Sequence, residues 1–161
     1  MKKKSPITHY RLGQMYMIKK DYFRARLEFK KTVQLDPEMY EAYKKLADSC
    51  MVLGDFTDAL ENYEKAYKIY KDDLELAMSL AICYDNNERV EEAIKVLHEI
   101  REKQVDYPMV NYNLAYGYKT LKNYEEAEKY AKEEKKHFPD NDMVPELLDE
   151  IKKLSKAGKK K

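Results

Sequence analysis

Apolar side chains recur along the chain in paired blocks. From Pro6, Leu12, Met15 and Tyr16 share one side of a first segment before Lys19-Lys20 and Asp21 interrupt it. A second segment carries Ala25, Phe29 and Val33 on one side and stops at Asp36-Pro37. Recurrence three and four residues apart is the period of an amphipathic helix, not of a strand. Ser5 before Pro6 is a helix start, a side-chain cap followed by proline in the first turn. Residues 6–39 therefore read as one helical hairpin. The same layout returns at 40, 74 and 108 with no residue inserted or lost, giving further hairpins over 40–73, 74–107 and 108–141.

The blocks vary within this register. The second has Tyr43, Leu46-Ala47 and Cys50, a turn at Gly54-Asp55, then Ala59, Tyr63 and Ala66; Lys71-Asp72-Asp73 can end one helix and cap the next. The third departs most, with Ala77 where an aromatic is expected, although Leu80-Ala81, Tyr84, Ala93, Leu97 and Ile100 are in place. Asn86-Asn87 marks its turn, because asparagine tolerates the left-handed backbone. The fourth opens at Asp106-Tyr107-Pro108, with Asp106 the expected cap, carries Leu114-Ala115, Tyr118, Ala127 and Ala131, and closes at Pro139. Small residues such as Gly13 and Ala25 fall where two helices must approach closely. A ninth helix is expected over 142–156, with Val144, Leu147, Leu148, Ile151 and Leu154 on one side and Glu146, Asp149, Glu150, Lys152 and Lys153 on the other. One apolar face suits a cap on the array. Residues 1–5 read as a basic tail and 157–161 as a disordered lysine tail.

The spacing of Leu12-Gly13, Tyr16, Ala25, Phe29 and Pro37, repeated every 34 residues, resembles the tetratricopeptide repeat, with His9 in the place of that family's tryptophan. The resemblance implies an all-α, right-handed superhelical solenoid of four antiparallel hairpins with a ninth, capping helix. It also implies a protein-binding scaffold or adaptor whose first helices line a concave groove. Groove positions fall two, five, nine, twelve and thirteen places into each unit. They select Tyr10, Gln14 and Met17 in the first, beside Ile7 and Ile18, and Lys44, Asp48 and Met51 in the second, beside Glu41 and Val52. In the third they are Met78, Ile82 and Asp85, beside Glu75 and Asn86; in the fourth, Met109, Tyr112, Tyr116 and Lys119, beside Thr120.

Related proteins that grip the carboxylate tail of heat-shock chaperones do so with a basic clamp. The matching places here hold Tyr10, Gln14, Lys45, Glu75 and Ser79, and shifting the frame by one unit gives Lys44, Asp48, Ser79, Met109 and Tyr112. Glu75 would repel a carboxylate, so no partner of that type is expected. Flexible Met and rigid Tyr instead suit an apolar peptide or helix with a few polar anchors. Two alternatives stand beside this reading: a secretion-type chaperone cradling an unfolded client, and a self-associating structural protein.

Charge and chemistry narrow the field. Residues 6–151 keep 22 of the 31 Lys and Arg but all 30 Asp and Glu, and an acidic body argues against a nucleic-acid partner. No apolar run approaches the ~18 residues of a membrane span. The first lysines are followed by no apolar signal region, and Cys50 and Cys83 are lone thiols without CxxC spacing, so a reducing, cytoplasmic setting is expected. Phosphate-binding glycine loops, nucleophile elbows and HExxH are absent, and His9, His98 and His137 fall at unrelated spacings. No catalytic site, cofactor or metal is expected.

Overall fold

A computed structural model describes residues 5–158. The helices gather into two compact units, one up to Asn87 and one from Glu88. The first contains α1 (Pro6–Ile18), α2 (Tyr22–Leu35), α3 (Tyr40–Leu53), α4 (Phe56–Ile69) and α5 (Leu74–Asn86). The second contains α6 (Val90–Lys103), α7 (Val110–Thr120), α8 (Tyr124–His137) and α9 (Met143–Gly158). The division falls between α5 and α6, inside the stretch 74–107.

In the first unit, α1 packs on α2, α2 on α3, α3 on α4 and α4 on α5. Ser5, Asp21 and Asp73 accept hydrogen bonds from backbone N–H groups in the first turns of α1, α2 and α5, so polar side chains complete the helix starts. Gly13 lies flat against the ring of Phe29, and a Cβ there would come within 2.6 Å of it. The hairpin closes because that side chain is missing. Thr32, rather than Val33, is the deep residue on the last turns of α2, its hydroxyl donating to Glu28 O at 3.0 Å. Cys50 and Cys83 are both fully buried, and the Cys83 thiol donates to Phe56 O at 3.7 Å.

In the second unit, α6 packs on α7, α7 on α8 and α8 on α9. Tyr118 and Tyr130 stack with centroids 5.5 Å apart, and His98 meets both rings edge-on and bonds the Tyr118 hydroxyl at 3.0 Å. Burial, helped by the Arg101 guanidinium, lowers the pKa of His98 and favours the neutral ring.

The turns inside the hairpins share one device. Lys20, Gly54, Glu88 and Lys122, each 34 residues from the next, all have positive φ, at 58°, 79°, 60° and 61°. Glycine occupies that place once. In the third turn the left-handed residue is Glu88, not the expected Asn86-Asn87; Asn87 Nδ2 instead donates to Cys83 O at 2.8 Å and Phe56 O at 3.2 Å.

Three further expectations shift. Asp106 does not cap the fourth block, because α7 begins only at Val110 and its N-cap is Met109 in the left-handed region, without a side-chain cap. Leu154 is exposed. The ninth helix runs on through Ala157 and Gly158, so those two residues are helical rather than disordered. The remainder of the expected lysine tail, 159–161, and most of the basic tail, 1–4, lie outside the described residues.

Candidate partner-binding face

The residues expected to face a partner behave differently in the two units. In the first, Tyr10, Gln14 and Met17 on α1 are half-buried, and the Tyr10 ring packs 5.7 Å from Phe29. Lys44 on α3 is only 8% exposed and donates to Asp73 at 2.9 Å and Glu75 at 2.7 Å. Burial alone would lower its pKa, but the two carboxylates outweigh it and hold the ammonium charged. Asp48 accepts from Tyr63 at 2.7 Å and Lys45 at 2.8 Å. Met51, Met78 and Asp85 are half-buried, and Ile82 is exposed. The two charged groups chosen from α3 thus spend their hydrogen bonds inside the fold.

In the second unit, Tyr112 and Tyr116 stand one turn apart on α7, the former half-buried and the latter 40% exposed. Lys119 lies 4.2 Å above the Tyr116 ring and donates to Glu150 at 2.8 Å. The Tyr112 hydroxyl is pushed up by burial, with smaller contributions from Tyr116, Glu146 and Glu150. Met109 packs its sulfur 3.4 Å from Asn141 Nδ2.

Glu146 and Glu150 are residues that the repeat register over 6–141 does not select. They occupy places five and nine counted from Asp142, the places of Tyr112 and Tyr116 in the preceding block. Carrying the register one unit further would have found them. Asp149 occupies the eighth place, where Gly13, Ala47, Ala81 and Ala115 are small and buried against a second helix. An exposed carboxylate there suits a helix with one apolar face.

Among the described residues no group of three or more potential ligands could hold a metal ion, and no helix is long and apolar enough to cross a membrane. A repeated helical hairpin with a chemically mixed outer face defines a class: the helical-repeat proteins.

Within that class the family follows from comparison. Tetratricopeptide-repeat models match residues 51–112 and residues 110–133. The TPR repeat-containing protein YpiA of Bacillus subtilis (strain 168) is 30% identical over 130 residues, which cover 80% of this chain and 30% of that protein. The chain therefore spans less than a third of the length of that relative. The crystal structure of YrrB, reported as a TPR protein with an unusual peptide-binding site, superposes with a TM-score of 0.83 at 21% identity, covering 91% of this chain and 74% of that one. That of MamA gives 0.81 at 20% identity, covering 94% and 88%. The chain is a tetratricopeptide-repeat protein, and its fold is the all-α repeat solenoid of that family. The family supports a role in protein–protein interaction and consists typically of non-enzymatic scaffolds.

Proposed function

We propose that this protein is an adaptor that holds an apolar peptide or helix of a partner on the face presented by its first helices, with α7 carrying the main anchor. The observation behind this reading is the pair Tyr112 and Tyr116, one turn apart, with Lys119 and Glu150 polar beside an exposed ring. Tyrosine offers a large contact area at small entropic cost, which makes it a frequent anchor. Glu146 and Glu150 add negative charge at that place, so a segment that pairs apolar residues with a basic one fits better than an acidic tail. The peptide-binding site reported for YrrB, which shares the fold, supports a peptide as the class of ligand and assigns no residue here.

The test pairs two variants. Tyr112→Ala/Tyr116→Ala should weaken binding of a peptide selected from a display library by ~2 kcal/mol or more, the usual size of a hot spot. Leu114, fully buried, is the control for packing, and Leu114→Ala should cost ~2–5 kcal/mol of stability. Calorimetry and thermal melting of both variants decide the matter. A double tyrosine variant that unfolds as readily as Leu114→Ala identifies the rings as packing residues and ends this reading.

A further inference from the structure

Glu134 occupies a place in α8 that corresponds to Thr32, Ala66 and Ile100 in the other blocks. All four are buried, but only this one carries a charge-bearing group, and Glu134 is 0% exposed. Its Oε1 accepts from Asn141 Nδ2 at 3.2 Å. Backbone N–H groups of Met109 and Tyr112 lie near enough to favour the ionised form, yet Oε2 has no hydrogen-bond partner among the described residues. A buried carboxylate oxygen left unpartnered is costly, and its persistence points to a donor beyond the described residues.

The space for that donor is present. A cavity of about 390 Å³ is lined by Glu134, by Met109 and Phe138, and by Pro108, Pro139 and Asp140, which are exposed. Apolar side chains and prolines thus surround the approach to a buried acid, with a second acid, Asp140, and the His137 imidazole among the exposed lining. An anion is disfavoured by both carboxyl groups. A divalent cation lacks ligands, since the Asn141 side-chain oxygen already accepts from Met143 N at 3.1 Å. A methylene stem would contact the apolar wall, and a positively charged head carrying several N–H donors would neutralise the acid once the Glu134 side chain turns Oε2, buried in this structure, toward the cavity.

We propose that this cavity is a receptor for a primary alkylammonium group on a flexible methylene stem, the chemistry of a lysine side chain. Apart from Met109 and the backbone N–H of Tyr112, it uses none of the residues assigned to the partner-binding face and no tyrosine side chain, so it stands or falls separately from that assignment.

The probes are Nα-acetyl-lysine N-methylamide, the corresponding norleucine derivative, which keeps the stem and loses the ammonium, and 1,5-diaminopentane. Each is titrated to about 10 mM, well above a millimolar dissociation constant, at about pH 8. The side-chain amide of Asn141 and the backbone amides of Met109 and Phe138 are followed by NMR. The lysine derivative should shift these signals with saturation, and the norleucine derivative should bind at least tenfold more weakly. Glu134→Ala should abolish the response and stay folded, because Ala66 fills the same place in the second block. Glu134→Gln, which keeps the size, should weaken it at least tenfold. Saturation by the diamine but not by the lysine derivative would support the ammonium site and place its source in free polyamines. Equal binding of the norleucine derivative, undiminished binding to Glu134→Ala, or no shift with any probe would each overturn the proposal.

Discussion

The two compact units build on one helical template and differ in how fully their buried polar groups are satisfied. In the first, Lys44, His9 and Tyr63 are largely withdrawn from solvent, and each finds a partner: Asp73 with Glu75, Glu28 at 2.6 Å, and Asp48. Arg26 leaves its Nε unpartnered there, but its guanidinium is held by Asp55 through Nη1. In the second unit, Glu134 and Asn111 are fully buried, and Glu134 Oε2 and both polar atoms of the Asn111 amide lack a partner among the described residues. A buried polar group that is satisfied contributes to specifying the fold, whereas one left open marks a place where stability has been given up. The polar residues of α3 are therefore poor candidates for recognition, and those around α7 and α8 are better ones.

The largest effect expected is from removing α9. Val144, Leu147, Leu148 and Ile151 are buried, and each such side chain is worth ~1.5–3 kcal/mol of burial. Against a total of ~5–15 kcal/mol for a domain, deletion from Asp142 should leave α7 and α8 without a stable packing. Hydrogen exchange read residue by residue should show protection lost in α6–α8 and retained in α1–α4. Equal loss in both regions would mean that the chain unfolds as a single unit.

A smaller and sharper contrast is in pH. Burial would raise the pKa of Asp73, but the Leu76 N–H and the Lys44 ammonium outweigh it and hold the carboxyl below the ordinary range. That contribution is in place above the unfolded-state pKa of about 4 and is lost as pH falls through the folded value. Burial raises Glu134 instead, against the bond from Asn141, so its contribution is in place below the unfolded pKa and is lost as pH rises through the folded one. Urea unfolding monitored by NMR should show the first unit weakening toward acid, and Lys44→Met should shrink that dependence. In the second unit the loss from Glu134 with rising pH runs against His98, whose lowered pKa weakens that unit toward acid, so the contrast is read from the variant: Glu134→Gln should gain stability relative to the parent as pH rises. A difference between Glu134→Gln and the parent that does not change with pH would remove the contrast.

The smallest effect concerns the turns. Lys20 in the first unit and Glu88 and Lys122 in the second hold positive φ with a Cβ present, which costs roughly 1–2 kcal/mol relative to glycine. Lys20→Gly, Glu88→Gly and Lys122→Gly should each raise the melting temperature, offset in part by the entropy that glycine adds to the unfolded chain. Gly54→Ala, at φ 79°, should lower it.

Much of this architecture is legible in the sequence because the repeat makes each residue a comparison with three others. Gly13 against Phe29 follows from the need for a close helix approach, and the helix starts at Ser5, Asp21 and Asp73 follow from capping chemistry. Register assigns residues to faces but says nothing of the reach of long side chains. Lys44 falls at an outward place, yet its four-carbon stem turns it down onto Asp73 and Glu75. Glu134 stands among charged neighbours, in Lys132-Glu133-Glu134-Lys135, and reads as part of a solvated face. Only alignment with Thr32, Ala66 and Ile100 shows that its place is an interior one. The N-cap of α7, at Met109 rather than Asp106, eluded prediction for a different reason: a left-handed N-cap without a side-chain bond has no residue signature.

Cys50 and Cys83 have a use beyond packing. The sequence has two cysteines, and both belong to the first unit, where burial raises their thiol pKa, that of Cys83 to about 11. A protonated, enclosed thiol does not react, so an alkylating reagent must wait for the helices around it to separate. The reagent thus becomes a clock that runs for one half of the chain only. Its rate counts openings of the first unit and is blind to the second, giving a native-state record of partial unfolding without an introduced label.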